Sequence, residues 1–230
     1  MSNTPHHWLQ AIKDARASSM IREIYPSLFL LRPETPKAKT QFTYFLKRPE
    51  GNILFATKAD VSSFVDEVNR LGGVSHMLLG DRHHASPATA ALATQFGTVL
   101  SASQIEATAL RPLGVAVEKI ISYRRDQFAS DLEVIPTPGH TRGAFSYLWT
   151  NQGRRFLFIG DTIVPVDGSW KYWVSAPSRP EMRRTIEKLA ALRFDVILSN
   201  SFAATPTGWL EAPPEYRKAM FAELSRSLSL

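Results

Sequence analysis

Short apolar runs alternate along this chain with stretches of helical spacing, and turn residues separate them. Trp8, Ile12 and Ala15 recur at helical spacing and predict a short helix within residues 4–20. Ile24 to Leu31 reads as a strand despite Pro26, and residues 32–39 read as a loop. Thr40–Leu46 and Asn52–Thr57 predict a hairpin across Arg48-Pro49-Glu50-Gly51. Asp60 then caps a helix whose apolar face is Val61, Phe64, Val68 and Leu71, and Gly72-Gly73 ends it. Val74–Leu79 is a buried strand, and residues 80–86 form the loop at its tip. Ser86-Pro87 starts a helix that runs to Gln95. A strand follows at Val99–Ser101, then a helix at Gln104–Leu110 and a further strand within Val115–Tyr123.

Glu133 to Thr162 carries the densest signal. Val134-Ile135 ends a buried strand, and Pro136, Pro138 and Gly139 turn the chain and leave His140 at the strand tip. Phe145–Trp149 and Phe156–Ile159 predict a hairpin across Asn151-Gln152-Gly153, and its second strand ends in Gly160-Asp161-Thr162. An aromatic loop follows, with Trp170, Tyr172 and Trp173. Ser178-Arg179-Pro180-Glu181 reads as a capping box before Met182, Ile186 and Leu189. Phe194–Leu198 is a buried strand, and residues 214–227 form a terminal amphipathic helix. Hairpins mixed with strand–helix alternation predict an α/β (α+β) layered sandwich.

A histidine and a carboxylate on neighbouring strand tips suit a metal site, because rigid strands hold ligands well. Thr137-Pro138-Gly139-His140-Thr141-x-Gly143, followed by Gly160-Asp161-Thr162, resembles the metallo-β-lactamase superfamily and its hydrolase branch that includes glyoxalase II. The resemblance implies a four-layer αββα sandwich with one core over residues 24–201. A helix or tail over 1–23 and a helical extension over 202–230 complete a single domain.

In that family the strand-tip loop reads His-x-His-x-Asp-His. Here it reads Asp81-Arg82-His83-His84-Ala85-Ser86. The resemblance implies one divalent ion, held by Asp81, His83, His140 and Asp161. Zn²⁺ is the first expectation, Mn²⁺ or Fe²⁺ the alternatives, and no metal the outcome if the site is degenerate. The second metal's ligands would fall at Ala85, Ser86 and Ser201, and alanine cannot ligate. Catalysis would fall to Asp161 and His83, with His84 as a substitute base. Strand-like alternation points His84 away, as a partly exposed loop histidine. Arg82, Arg142, Trp170 and Trp173 are the candidate substrate-binding residues. His76 starts its strand away from the site and reads as structural, and His6 and His7 read as tail.

Composition narrows the functional class. There is no cysteine, which excludes disulfides and thiolate ligands and is compatible with a cytoplasmic address. No apolar run approaches the ~20 residues that span a bilayer. The net charge of +6 favours a small anionic substrate, and nucleic acid is the weaker candidate partner. The leading expectation is a single-metal hydrolase of an ester, thioester or phosphoester. The alternatives are a degenerate, metal-free binding protein and a nuclease.

Overall fold

The alternation of side chains along the strands sorts the chain into layers. The computed structural model describes residues 21–32 and 39–228. The helix expected within residues 4–20, His6, His7 and most of the 32–39 loop lie outside them. The first sheet has seven strands in chain order. They are β1 (Ile21–Tyr25), β2 (Leu28–Leu31), β3 (Thr43–Leu46), β4 (Ile53–Phe55), β5 (His76–Leu78), β6 (Leu100–Ser103) and β7 (Lys119–Ile121). The second sheet uses β8 (Asp126–Ala129), β9 (Leu132–Pro136), β10 (Phe145–Asn151), β11 (Arg154–Phe158), β14 (Val196–Leu198) and β15 (Trp209–Glu211). Their order is β15-β14-β11-β10-β9-β8. Between β11 and β14 lies a two-stranded ribbon, β12 (Val164–Val166) with β13 (Ser169–Lys171).

Successive strand residues face opposite ways, so one strand serves two cores. Tyr44, Ile53, Phe55 and Leu78 of the first sheet meet Tyr147, Phe156, Phe158 and Leu198 of the second in the central core. Phe45, Leu54 and Met77 point to the other face, towards helices α1 (Val65–Arg70), α2 (Pro87–Gln95) and α3 (Gln104–Leu110). In the second sheet Ile135, Leu148, Leu157 and Ile197 face α4 (Arg179–Ala190) and α5 (Pro214–Leu228). Three apolar layers separate four layers of backbone, which is the αββα sandwich. Phe55 and Phe158 stack across the centre with ring centroids 4.3 Å apart. Truncating either to alanine removes ~3–5 kcal/mol.

Two local expectations are corrected. Ile24–Leu31 is not one strand: Pro26 and Ser27 make a two-residue turn that pairs β1 with β2. Pro26 cannot donate to a ladder and Ser27 takes φ 66°, so the chain reverses there. Ser178 does not close a capping box. It sits in αR backbone at the end of a 3₁₀ turn, and its hydroxyl accepts from Ser175 instead. Ser86 does cap α2, in a reciprocal box with Thr89. The region after residue 201 contributes β15 to the second sheet as well as α5.

The topology gathers one set of strand ends. β4 and β5 run parallel in the first sheet, as do β11 and β14 in the second. The segments leaving them meet: Phe145 N donates to Gly80 O at 2.8 Å, and Ser199 Oγ to Gly160 O at 2.7 Å. Asn200 Nδ2 donates to Phe42 O at 2.7 Å, and Tyr44 Oη to Ser199 O at 3.0 Å, stitching the two sheets at this edge.

Candidate metal centre

Asp81, His83, His140 and Asp161 come together at that edge. One donor atom from each lies within 4.8 Å of all the others. Asp81 follows β5 and accepts His83 N through Oδ1 at 2.8 Å, which winds residues 82–84 into a 3₁₀ turn. His140 follows β9. Its Nδ1 lies 2.8 Å from the Trp173 carbonyl, which only accepts, so Nδ1 carries the proton and Nε2 faces the cluster. His83 Nδ1 stands 2.9 Å from that Nε2 and 3.5 Å from Asp81 Oδ1. Asp161 Oδ2 is 3.9 Å from His140 Nε2. Burial lowers the His83 pKa, with His140 adding to the effect against the pull of Asp81 and Asp161.

His84 does not point away, as its position in the sequence suggested. Alternation along an extended loop would turn it away, but the 3₁₀ turn carries it inward, where it is 0% exposed. Its Nδ1 lies 3.5 Å from Asp81 Oδ2, and its Nε2 lies 3.3 Å from Asp161 Oδ1. Burial disfavours the imidazolium, but the Asp81 and Asp161 carboxylates outweigh it and push His84 up to about 9. Burial likewise works against the Asp161 carboxylate, yet His84, His140 and the Ser201 hydroxyl hold it down to about 2. Each carboxylate therefore gives one oxygen to His84 on the deep side and keeps the other for the His83–His140 side. Gly160, at φ 55°, makes room for this: a Cβ there would stand 3.2 Å from His84 Cε1.

Comparison with known proteins yields structures only. No family model matches the sequence, and no curated protein matches it. Among solved structures, a B3 metallo-β-lactamase described by its active-site glutamic acid superposes with TM-score 0.65 at 19% identity, over 95% of this chain and 93% of that one. A Cronobacter sakazakii metallo-β-lactamase with a HARLDQ motif gives 0.64 at 18%, over 91% and 94%. A metallo-β-lactamase from Pontibacter korlensis gives 0.69 at 13%, over 91% and 98%. The chain has the metallo-β-lactamase fold.

Within that fold, a cleft of about 630 Å³ opens over the cluster. Its lining includes His83, His140, Asp161 and Ser201, with Trp173, Phe202 and Ala203 as apolar walls and Lys39 and Lys58 as cations. Of the four expected substrate-binding residues, only Trp173 is there. Arg82 turns from the cleft to the buried Glu106, with Nε 2.8 Å from Oε2. Arg142 is exposed and outside the lining, its carbonyl taken by Tyr123 Oη at 2.8 Å. Trp170 belongs to the core under α4 and α5, where its Nε1 donates to Tyr216 Oη at 2.6 Å. Lys39, Lys58 and Phe202 were missed because each comes from a different loop with no shared motif. The buried Gln41 links two of these parts: its Oε1 accepts Lys58 N at 2.7 Å and its Nε2 donates to His83 O at 3.4 Å.

The donor set of Asp81, His83, His140 and Asp161 suits a divalent ion. Four ligands ~2.0–2.2 Å from zinc stand about 3.4 Å apart in a tetrahedron. The 2.9, 3.5 and 3.9 Å separations bracket that spacing. Fixing His140 through a carbonyl on its other nitrogen also matches how ligating imidazoles are oriented. Among the described residues, no helix is long and apolar enough to cross a membrane.

Proposed function

We propose that this chain is a metallo-hydrolase with one divalent ion per chain, acting on a small anionic ester, thioester or phosphoester. The observation that carries the reading is the division of the two carboxylates: their inner oxygens face His84 and their outer oxygens face His83 and His140. One ion held by Asp81, His83, His140 and Asp161 would use the outer set. His84 fills the deep side and Ala85 offers no ligand, which favours one ion over two. A carboxylate in the site has a counterpart by name in the neighbour with an active-site glutamic acid. The glyoxalase II branch rests on the resemblance carried jointly by Thr137-Pro138-Gly139-His140-Thr141-x-Gly143 and Gly160-Asp161-Thr162.

A bound ion of this kind lowers the pKa of its water towards ~7 and polarises a carbonyl or phosphoryl oxygen. The protein's own residues do the rest. Asp161, held ionised, would hold the ion through its outer oxygen while its inner oxygen stays on His84. Trp173, Phe202 and Ala203 exclude water from an apolar part of the substrate, and Lys39 and Lys58 draw its anionic part to the rim. Zn²⁺ is the first candidate.

The metal-free binding protein remains the rival, and one observation favours it: the His84 imidazolium already offsets charge between Asp81 and Asp161. Only the net charge of +6 speaks for the nuclease. Titration of metal-stripped protein with Zn²⁺ and Mn²⁺ separates the first two. One site per chain, abolished by His140→Ala, together with turnover of an aryl ester or thioester carrying a carboxylate, supports the hydrolase. Two tight sites, or none at millimolar metal, overturns it.

A further inference from the structure

We propose that Glu106 is a positioning residue that locks the two histidine-bearing loops of the site to each other. Glu106 lies in the first turn of α3 and is 1% exposed. Its carboxylate receives four N–H groups from two other segments. Oε2 accepts Arg82 N at 2.8 Å and Arg82 Nε at 2.8 Å; Oε1 accepts Arg82 Nη2 at 3.0 Å and Gly143 N at 2.9 Å. Arg82 precedes His83, and Gly143 lies three residues beyond His140. The loops are 57 positions apart at their histidines, yet they hang on one side chain from a third element. Ser103, the cap of α3, holds Gly143 from its other end, with Oγ donating to Gly143 O at 2.8 Å.

The energetics explain why this contact transmits position. A carboxylate withdrawn from water is costly unless its oxygens are filled with good hydrogen bonds. Here two of the four bonds that fill them come from main-chain N–H groups, one from each loop, so neither loop can shift without uncovering part of the charge. Gly143 is part of the device. A Cβ there would stand 2.6 Å from Glu106 Oε1 and 2.6 Å from Ser103 Oγ, so only glycine lets the loop approach this closely. The result is that His83 Nδ1 and His140 Nε2 are held 2.9 Å apart. An ordinary Arg–Glu bridge would fasten α3 to its neighbour. It would leave the spacing of two ligands alone.

The test uses metal-stripped full chain and three variants. Glu106→Gln keeps the shape and replaces one acceptor by a donor. Gly143→Ala pushes on the same contact from the other loop and leaves Glu106 and Arg82 in place. Arg48→Gln, which breaks a part-buried ion pair with Asp131 outside the site, is the control for lost stability. Zn²⁺ affinity is expected to fall by about tenfold to a hundredfold in the first two. In the control it stays at the wild-type value while Tm drops. Amide exchange over residues 81–84 is expected to accelerate in Gly143→Ala, although that substitution lies on the other loop. The metal readout rests on the ligand set proposed above, and the exchange readout does not. If wild type bound no metal, that ligand set would fail, and exchange alone would decide for or against Glu106. Affinity losses no larger than the control's, or unchanged exchange over 81–84 in Gly143→Ala, overturn the proposal.

Discussion

His84 Nε2 lies 3.3 Å from Asp161 Oδ1, inside a site where the imidazole has no exposure to solvent. The other nitrogen of the same ring lies 3.5 Å from Asp81 Oδ2. One buried cation thus separates two buried carboxylates. Removing it leaves them facing each other without compensation. His84→Leu is expected to destabilise the metal-stripped protein by about 3–5 kcal/mol, the range for breaking a buried ion pair from one side. His84→Gln, which can still donate to one carboxylate, should lose less. Urea unfolding of the two variants checks this; a His84→Leu protein within ~1 kcal/mol of wild type would show that the ring does not bridge the pair.

Ala85 stands where the family's loop carries its aspartate, but the position has been absorbed into the core. It is 3% exposed and belongs to the apolar layer between the first sheet and its helices. Ser86, beside it, is committed to capping α2. Ala85→Asp would therefore place a carboxylate in hydrocarbon, with an expected cost of about 3–5 kcal/mol and no gain of a second ion. Chemical denaturation combined with metal titration reads both. A variant of wild-type stability that binds two ions would contradict this account of Ala85.

Much of this was legible in the chain, and the reasons are physical. Period-two runs such as Phe145–Trp149 must place alternate residues in two cores, so the layers follow from the pattern. The four clustered residues sit where turn residues stop buried strands, so their gathering at one edge was readable too. The failures lie where a local hydrogen bond or a distant partner decides. His84 turns inward because the Asp81 carboxylate takes His83 N and curls the loop. Arg82 leaves the cleft for Glu106, and Trp170 leaves it for Tyr216, partners 24 and 46 residues away. No spacing rule announces either. Serine at positive φ, as at Ser27, is equally hard to foresee, because glycine or asparagine is the usual occupant.

Trp173 serves the site twice, through different atoms. Its carbonyl orients His140, and its side chain, on a residue 48% exposed, forms a wall of the cleft. Trp173→Ala removes only the ring. Zn²⁺ affinity is therefore expected to stay within about twofold of wild type, since the main-chain acceptor remains. Binding of an aryl carboxylate should weaken by about 1 kcal/mol, roughly fivefold, for the loss of a partly buried aromatic surface. Parallel titrations of metal and aryl carboxylate separate the two effects. Loss of metal binding in this variant would mean that the ring, and not the carbonyl, holds His140.

The Arg48–Asp131 pair sets a pH dependence outside the site. Arg48 is 6% exposed, and its guanidinium grips the Asp131 carboxylate, with Nε at 2.9 Å from Oδ2. Trp149 Nε1 donates to the same oxygen at 2.9 Å. Partial burial works against the Asp131 carboxylate, but these donors outweigh it and hold its pKa below the ordinary value. A carboxyl group depressed on folding binds its proton more weakly in the native state than in the unfolded chain, where its pKa is ~3.9. Its stabilisation is therefore present above pH ~4 and is lost as the pH falls through the lower native value. Asp131→Asn cannot follow that curve, because it never carries the charge. The variant should be less stable than wild type at pH 7, with the buried Arg48 left only the exposed Glu50 carboxylate, 3.9 Å away, as a charge partner. The gap should stay constant down to about pH 5 and then narrow as wild type loses its advantage. Unfolding free energies of metal-stripped wild type and Asp131→Asn at pH 7, 5 and 3 test the sign directly. Other carboxylates titrate in both proteins and cancel in the difference. A gap that widened on acidification would mean that Asp131 is held protonated, and the Arg48 contact would then need another explanation.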